Sequence, residues 1–134
     1  MKLIDTFKEL EHNIISAYES GTTIEEAERL AAKFLHAQMR VSEALKKADL
    51  DSRMRKAGVK AVRAAVYNQI AASADKKPTV DHMEHQLNLS DLVSKEQDEL
   101  DHAEVTRDDL KRYFDIFTNA HVHFRNVAKG SFNG

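Results

Sequence analysis

The sequence predicts an all-α fold, an elongated helical hairpin or bundle with long, coiled-coil-like helices that is oligomeric, and three observations point there. Turn chemistry is scarce, because the 134 residues include one proline, four glycines, no tryptophan and no cysteine, too few breaks for a hairpin-rich β fold. Apolar residues recur at three- and four-residue steps instead of alternating. Capping residues stand where the periodic stretches begin and end. With 42% hydrophobic residues there is enough apolar material for a core, and residues 1–134 read as a single helical domain.

The first helix is expected over residues 2–19. Leu3, Phe7, Leu10 and Ile14, joined by Ile4, Ala17 and Tyr18, make one apolar stripe that stops at Ser20-Gly21. The opening MKLIDTFKELEHN carries acids within its first apolar turns and does not read as a secretory signal, and no run approaches the length of a membrane span. The expectation is a cytoplasmic protein without membrane contact. Lack of cysteine agrees with a reducing compartment and excludes disulfides and thiolate metal sites.

A second, basic helix is expected over residues 23–73, opened by Thr23 with Glu26 three residues on, the spacing of a capping box. Ala27, Ala31, Phe34, Gln38, Val41, Leu45 and Ala48 follow in near-heptad order, and the pattern resumes with Val59, Val62 and Val66. The helix either runs unbroken or bends near Asp49 to Ser52; Gly58 marks a kink or a close approach of another backbone. Asp75-Lys76-Lys77-Pro78-Thr79 is loop chemistry, with Thr79 capping a short helix over 79–88.

Ser90 caps the last helix, expected over 90–128 with Gly130 as its stop. Leu100, Ala103, Arg107, Leu110, Phe114, Phe117, His121 and Phe124 keep a seven-residue period along it. Such a helix is about 57 Å long, against roughly 36 Å for the diameter of a compact domain of this size. Leu100, Leu110, Phe114, Phe117 and Phe124 are therefore expected to be covered by homo-oligomerisation.

A formal net charge of −2 conceals how the charges are distributed. Residues 33–63 hold nine Lys or Arg against Glu43, Asp49 and Asp51, whereas residues 81–109 hold ten acids against Lys95 and Arg107. Segregation of this kind creates a local field that a polyanion senses. At about 100° per residue, Lys46, Arg53, Lys56, Lys60 and Arg63 fall within roughly a 100° arc of the second helix, with Tyr67 next along the chain. The stripe spans about 26 Å and holds no base-reading group, so it points to sequence-independent binding of single-stranded DNA. The same stripe also reads as a solvated face, or as the partner of the acids at 96–109.

Other constellations point away from catalysis. Glu9-x-x-His12 and Glu99-x-x-His102 have the spacing of di-iron carboxylate bundles but lie off the apolar stripes, so both pairs are expected to face solvent. His82 with His85, and His121 with His123, could ligate a transition metal only if carboxylates joined them, and surface histidines are commoner. His121 on the heptad line reads as a partly buried, hydrogen-bonded histidine. Neither a Gly-rich phosphate loop nor a nucleophile on a strand-to-helix turn is present. No enzyme, cofactor or metal is expected.

The basic central helix ending in Lys60-Ala61-Val62-Arg63 with Tyr67 one turn on, the acidic connector and a last helix rich in Leu and Phe resemble the UvsY-type recombination mediators of tailed bacteriophages. That resemblance, which covers residues 30–128 as architecture, implies a ring-forming helical oligomer. It also implies that the chain binds single-stranded DNA, displaces the single-strand-binding protein and loads a recombinase in the host cytoplasm. It gives Lys60 and Arg63 the role of the family's Lys-x-Arg pair, although here the two cations are three apart instead of two and a single tyrosine follows. A protein-interaction module, such as a phage-encoded inhibitor, scaffold or chaperone, is the alternative expectation.

Overall fold

In the computed structural model, which describes residues 2–130, four helices follow in chain order: α1 (Leu3–Ser20), α2 (Ile24–Ser73), α3 (Val80–Leu89) and α4 (Asp91–Ala128). No strand occurs among the described residues. Each boundary has a local cause. Gly21 and Gly130 adopt positive φ, of 74° and 67°, where a side chain would be strained, and they close α1 and α4. Thr23 Oγ1 accepts from the Glu26 amide at 3.2 Å to open α2, and Thr79 Oγ1 accepts from the His82 amide at 3.2 Å to open α3. Ser90 Oγ accepts from Val93 N at 3.4 Å at the start of α4. Among the described residues, no helix is long and apolar enough to cross a membrane.

α2 runs as one continuous helix through Asp49–Ser52 and Gly58, which do not break it. Nor does a backbone approach Gly58: a Cβ added there meets the side chain of Glu96 at 3.7 Å, an ordinary contact. Helical hydrogen bonds on both sides of the glycine outweigh its modest propensity cost of about 1 kcal/mol.

The chain divides into two compact units, residues 1–45 with 109–134, and residues 46–108. The first unit is built from α1, the beginning of α2 and the end of α4, around an aromatic core. Phe7, Phe34, Tyr113, Phe117 and Phe124 are all fully buried. Phe117 lies 5.7 Å from Phe7, 6.0 Å from Phe34 and 5.9 Å from Tyr113 between ring centroids, the range in which aromatic pairs attract. Ala27, Ala31, Ala37 and Ala120 are buried among them and leave room for the rings. The ring nitrogen Nδ1 of His121 sits 2.8 Å from the carbonyl oxygen of Ala31, which only accepts, so Nδ1 carries the proton and donates.

The seam of α4 departs from the expected heptad in this unit. Tyr113 and Ala120 are buried, while Phe114 and His121 are half-buried. The displacement follows from α1: Phe7 packs 5.7 Å from Tyr113, and a second neighbour widens the covered face of α4 toward residues 113 and 120. Leu110, Phe117 and Phe124, expected at an interface between copies, are buried by helices of their own chain, so their burial needs no second copy. Leu100 is buried in the same way within the second unit.

The second unit comprises the rest of α2, α3 and the beginning of α4. Its core is aliphatic, with Val59, Met83, Leu87, Val93, Leu100 and Ala103 buried. Ser52 is the buried polar residue, and Arg107 Nη1 donates to its Oγ at 3.2 Å. Met83 and Leu87, one turn apart on α3, anchor that ten-residue helix.

Candidate nucleic-acid interface

All six residues expected to contact nucleic acid lie in the second unit, on α2. Val59 is buried and therefore marks the inward direction of the helix. From it, at about 100° per residue, Lys46, Arg53 and Lys60 lie roughly 100–140° round the axis, Tyr67 about 80°, Lys56 about 60° and Arg63 about 40°. The inward residues hold the helix in one rotation, and that rotation turns the cations into an edge beside the core. Lys46, Arg53, Lys56 and Lys60 are exposed, as is Tyr67, whereas Arg63 is half-buried.

Electrostatic partners divide the cations into two groups. Arg63 Nη2 meets Glu84 Oε2 of α3 at 3.0 Å. Arg55 lies outside the edge, on the other side of Val59, and is held twice, by Asp51 at 3.1 Å and by Glu99 at 3.0 Å. Hydrogen bonding and charge from Asp51, with the smaller contribution of Glu99, raise the Arg55 pKa above its ordinary value against a desolvation that lowers it. Lys46, Arg53, Lys56 and Lys60 make no ion pair within 4.0 Å among the described residues.

The acids of α4 are thus mostly spent elsewhere or left in water. Asp101 accepts from Gln97 Nε2 at 2.9 Å, and Asp108 accepts from Arg107 at 3.2 Å. Asp98, Glu104 and Asp109 form no ion pair among the described residues. One carboxylate from α4, that of Glu99, reaches a cation of α2, and the cation is Arg55, off the edge. Glu99 and His102 line an open groove of about 300 Å³ together with Ala48, Asp51, Arg55, Ala103 and Thr106. No group of three or more His, Asp or Glu able to hold a metal ion occurs among the described residues.

No family model, curated protein or solved structure matches this chain. The functional reading therefore rests on the residues and their placement.

Sequence reasoning placed the edge by helical phase but did not single out Glu84. Its signal is the charge segregation itself, since Glu84 belongs to the acidic stretch 81–109 that reads as a pairing partner of the basic stretch 33–63 without naming which acid meets which cation. Which acid reaches which cation depends on how the short helix docks, and spacing along the chain does not encode that.

Proposed function

We propose that this chain is a non-enzymatic accessory protein that binds single-stranded DNA along the Lys46–Lys60 edge of α2 and assists recombination or replication, as the UvsY-type mediators it resembles do. The observation that carries the reading is the row of four exposed cations left without carboxylate partners. Lys46, Arg53 and Lys60 recur at seven-residue intervals, a rise of about 10.5 Å each, so the edge runs some 21 Å along the helix. Ammonium and guanidinium groups on such an edge neutralise phosphates and release counterions. Tyr67, 46% exposed and on the same side, offers one ring on which a base stacks.

Nothing on the edge reads base identity, so binding is independent of sequence. Four neutralised phosphates give a slope of about −2.8 in log K against log salt on single strands. Copies of the chain side by side on one strand multiply a modest affinity, and the acidic outer face of α4 is left for a basic surface on a recombinase or single-strand-binding protein. This role places the protein in the cytoplasm, the host's if it is phage-encoded.

Fluorescence anisotropy of a labelled single-stranded oligonucleotide tests the proposal. Binding that weakens steeply with salt is expected, and no binding at about 50 mM salt removes it. Competition by double-stranded DNA and by RNA defines the preferred strand, and mass photometry with and without oligonucleotide gives the stoichiometry.

A second reading has its own observation. Leu50 and Met54 are 60% and 65% exposed on the face of α2 away from the core, and Ala57 and Ala61 continue that face. Exposed apolar side chains beside cations favour a protein-interaction module. In that case, replacing Lys60 and Arg63 by alanine changes thermal stability more than nucleic-acid affinity.

A further inference from the structure

We infer that Glu84 sets the length of the phosphate track: in the free protein its carboxylate occupies Arg63 and ends the track at Lys60, and a strand gains a fifth contact by displacing it. The inference rests on the phosphate-binding reading of the α2 edge and adds a regulating residue to it.

Arg63 follows Lys60 by three residues and lies on the same side of α2, so a strand running along Lys46, Arg53 and Lys60 reaches it next. Its side chain is 32% exposed, and that of Glu84 58%. The pair is thus open to water on both sides, and such pairs are weak. Glu84 has no other ion pair or hydrogen bond among the described residues, so nothing else holds its carboxylate in place. Arg55 differs, because it is bracketed by one carboxylate from its own helix and one from α4.

The position of Glu84 is nevertheless fixed at its backbone. Met83 and Leu87 on either side are 3% and 4% exposed, and Thr79 caps the helix through the His82 amide. α3 therefore stays docked while the Glu84 side chain alone rotates away. Exchange of one exposed carboxylate for one phosphate oxygen on the same guanidinium is close to balanced, and a balanced exchange is what a neighbouring charge can tip.

Anisotropy titrations of a fluorescein-labelled 20-residue oligothymidylate over a range of salt concentrations test this with four proteins: the native chain, Glu84→Gln, Asp81→Asn, and Glu84→Gln with Arg63→Gln. Asp81→Asn removes the same charge from the same helix at a residue that makes no ion pair among the described residues. Glu84→Gln is expected to bind about two- to five-fold more tightly at low salt, with a slope steeper by about 0.7. Asp81→Asn is expected to match the native chain, and the double variant to lose the gain. Native binding that Glu84→Gln leaves unchanged overturns the role of Glu84 while the edge stands. A gain that survives in the double variant, or that Asp81→Asn reproduces, overturns it as a mere effect of net charge. Absence of binding by both the native chain and Glu84→Gln removes the edge together with its regulator. Far-UV circular dichroism of each variant verifies that the helices are intact.

Discussion

Arg107 Nη1 donates to Ser52 Oγ at 3.2 Å, joining α4 to the buried polar residue of the second unit. Arg107 also reaches Asp108 through Nε and Nη2, at 3.3 and 3.2 Å, so its planar fork is held from both sides. A hydroxyl on the seam thus finds a partner at one register of α2 against α4, and sliding by a turn strands it. Urea unfolding of Ser52→Ala, Arg107→Met and the double variant is expected to give a coupling energy of about 1 kcal/mol. Strictly additive effects would show that the bond does not set the register.

Lys60 and Arg55 test the division of the cations. Lys60→Gln and Arg55→Gln remove the same unit charge, but Lys60 is unpaired on the edge and Arg55 is clasped by two acids. Lys60→Gln is expected to make the salt slope shallower by about 0.7. Arg55→Gln is expected to leave the slope unchanged and to lower the thermal midpoint, because Asp51 and Glu99 lose their shared partner. Equal effects on affinity would refute a localised edge.

Gly58→Ala is expected to stabilise the protein. The glycine is within a continuous helix, lacks a positive φ, and has room for a Cβ at 3.7 Å from Glu96. The gain is about 0.5–1 kcal/mol, roughly 2–6 °C in a thermal melt followed at 222 nm. A lower midpoint would mean that the Glu96 side chain has no freedom to adjust.

Tyr113 and Phe114 are adjacent aromatics with unequal burial, the first fully buried and the second partly so. Tyr113→Ala is expected to cost about 3–5 kcal/mol and Phe114→Ala roughly half of that or less, by urea denaturation. The reverse order would restore the simple heptad seam.

Helix existence was legible in the sequence because Leu3, Phe7 and Ile14, and Phe117 and Phe124, recur at helical steps, and because Thr23, Thr79 and Ser90 announce their caps. The observed helices start and end within one residue of those expected. Seam phase on α4 was less legible, since residues 113 and 114 are both apolar aromatics and the choice between them falls to α1, a helix more than 90 residues away along the chain. The edge of α2 was readable as a phase relation among like charges. The role of Arg63 was not, because its partner comes from a ten-residue helix whose orientation is fixed by the burial of Met83 and Leu87.

The distribution of rings gives each unit its own optical label. All five phenylalanines of the described residues, with Tyr18 and Tyr113, fall in the unit formed by residues 1–45 and 109–134, and Tyr67 is the lone aromatic of residues 46–108. Because the chain has no tryptophan, near-ultraviolet dichroism reports on the ring cluster. In a Tyr18→Phe, Tyr113→Phe background, tyrosine emission comes from Tyr67 alone and watches the cationic edge from beside it. Melting curves and ligand titrations can then be followed on one preparation, half by half.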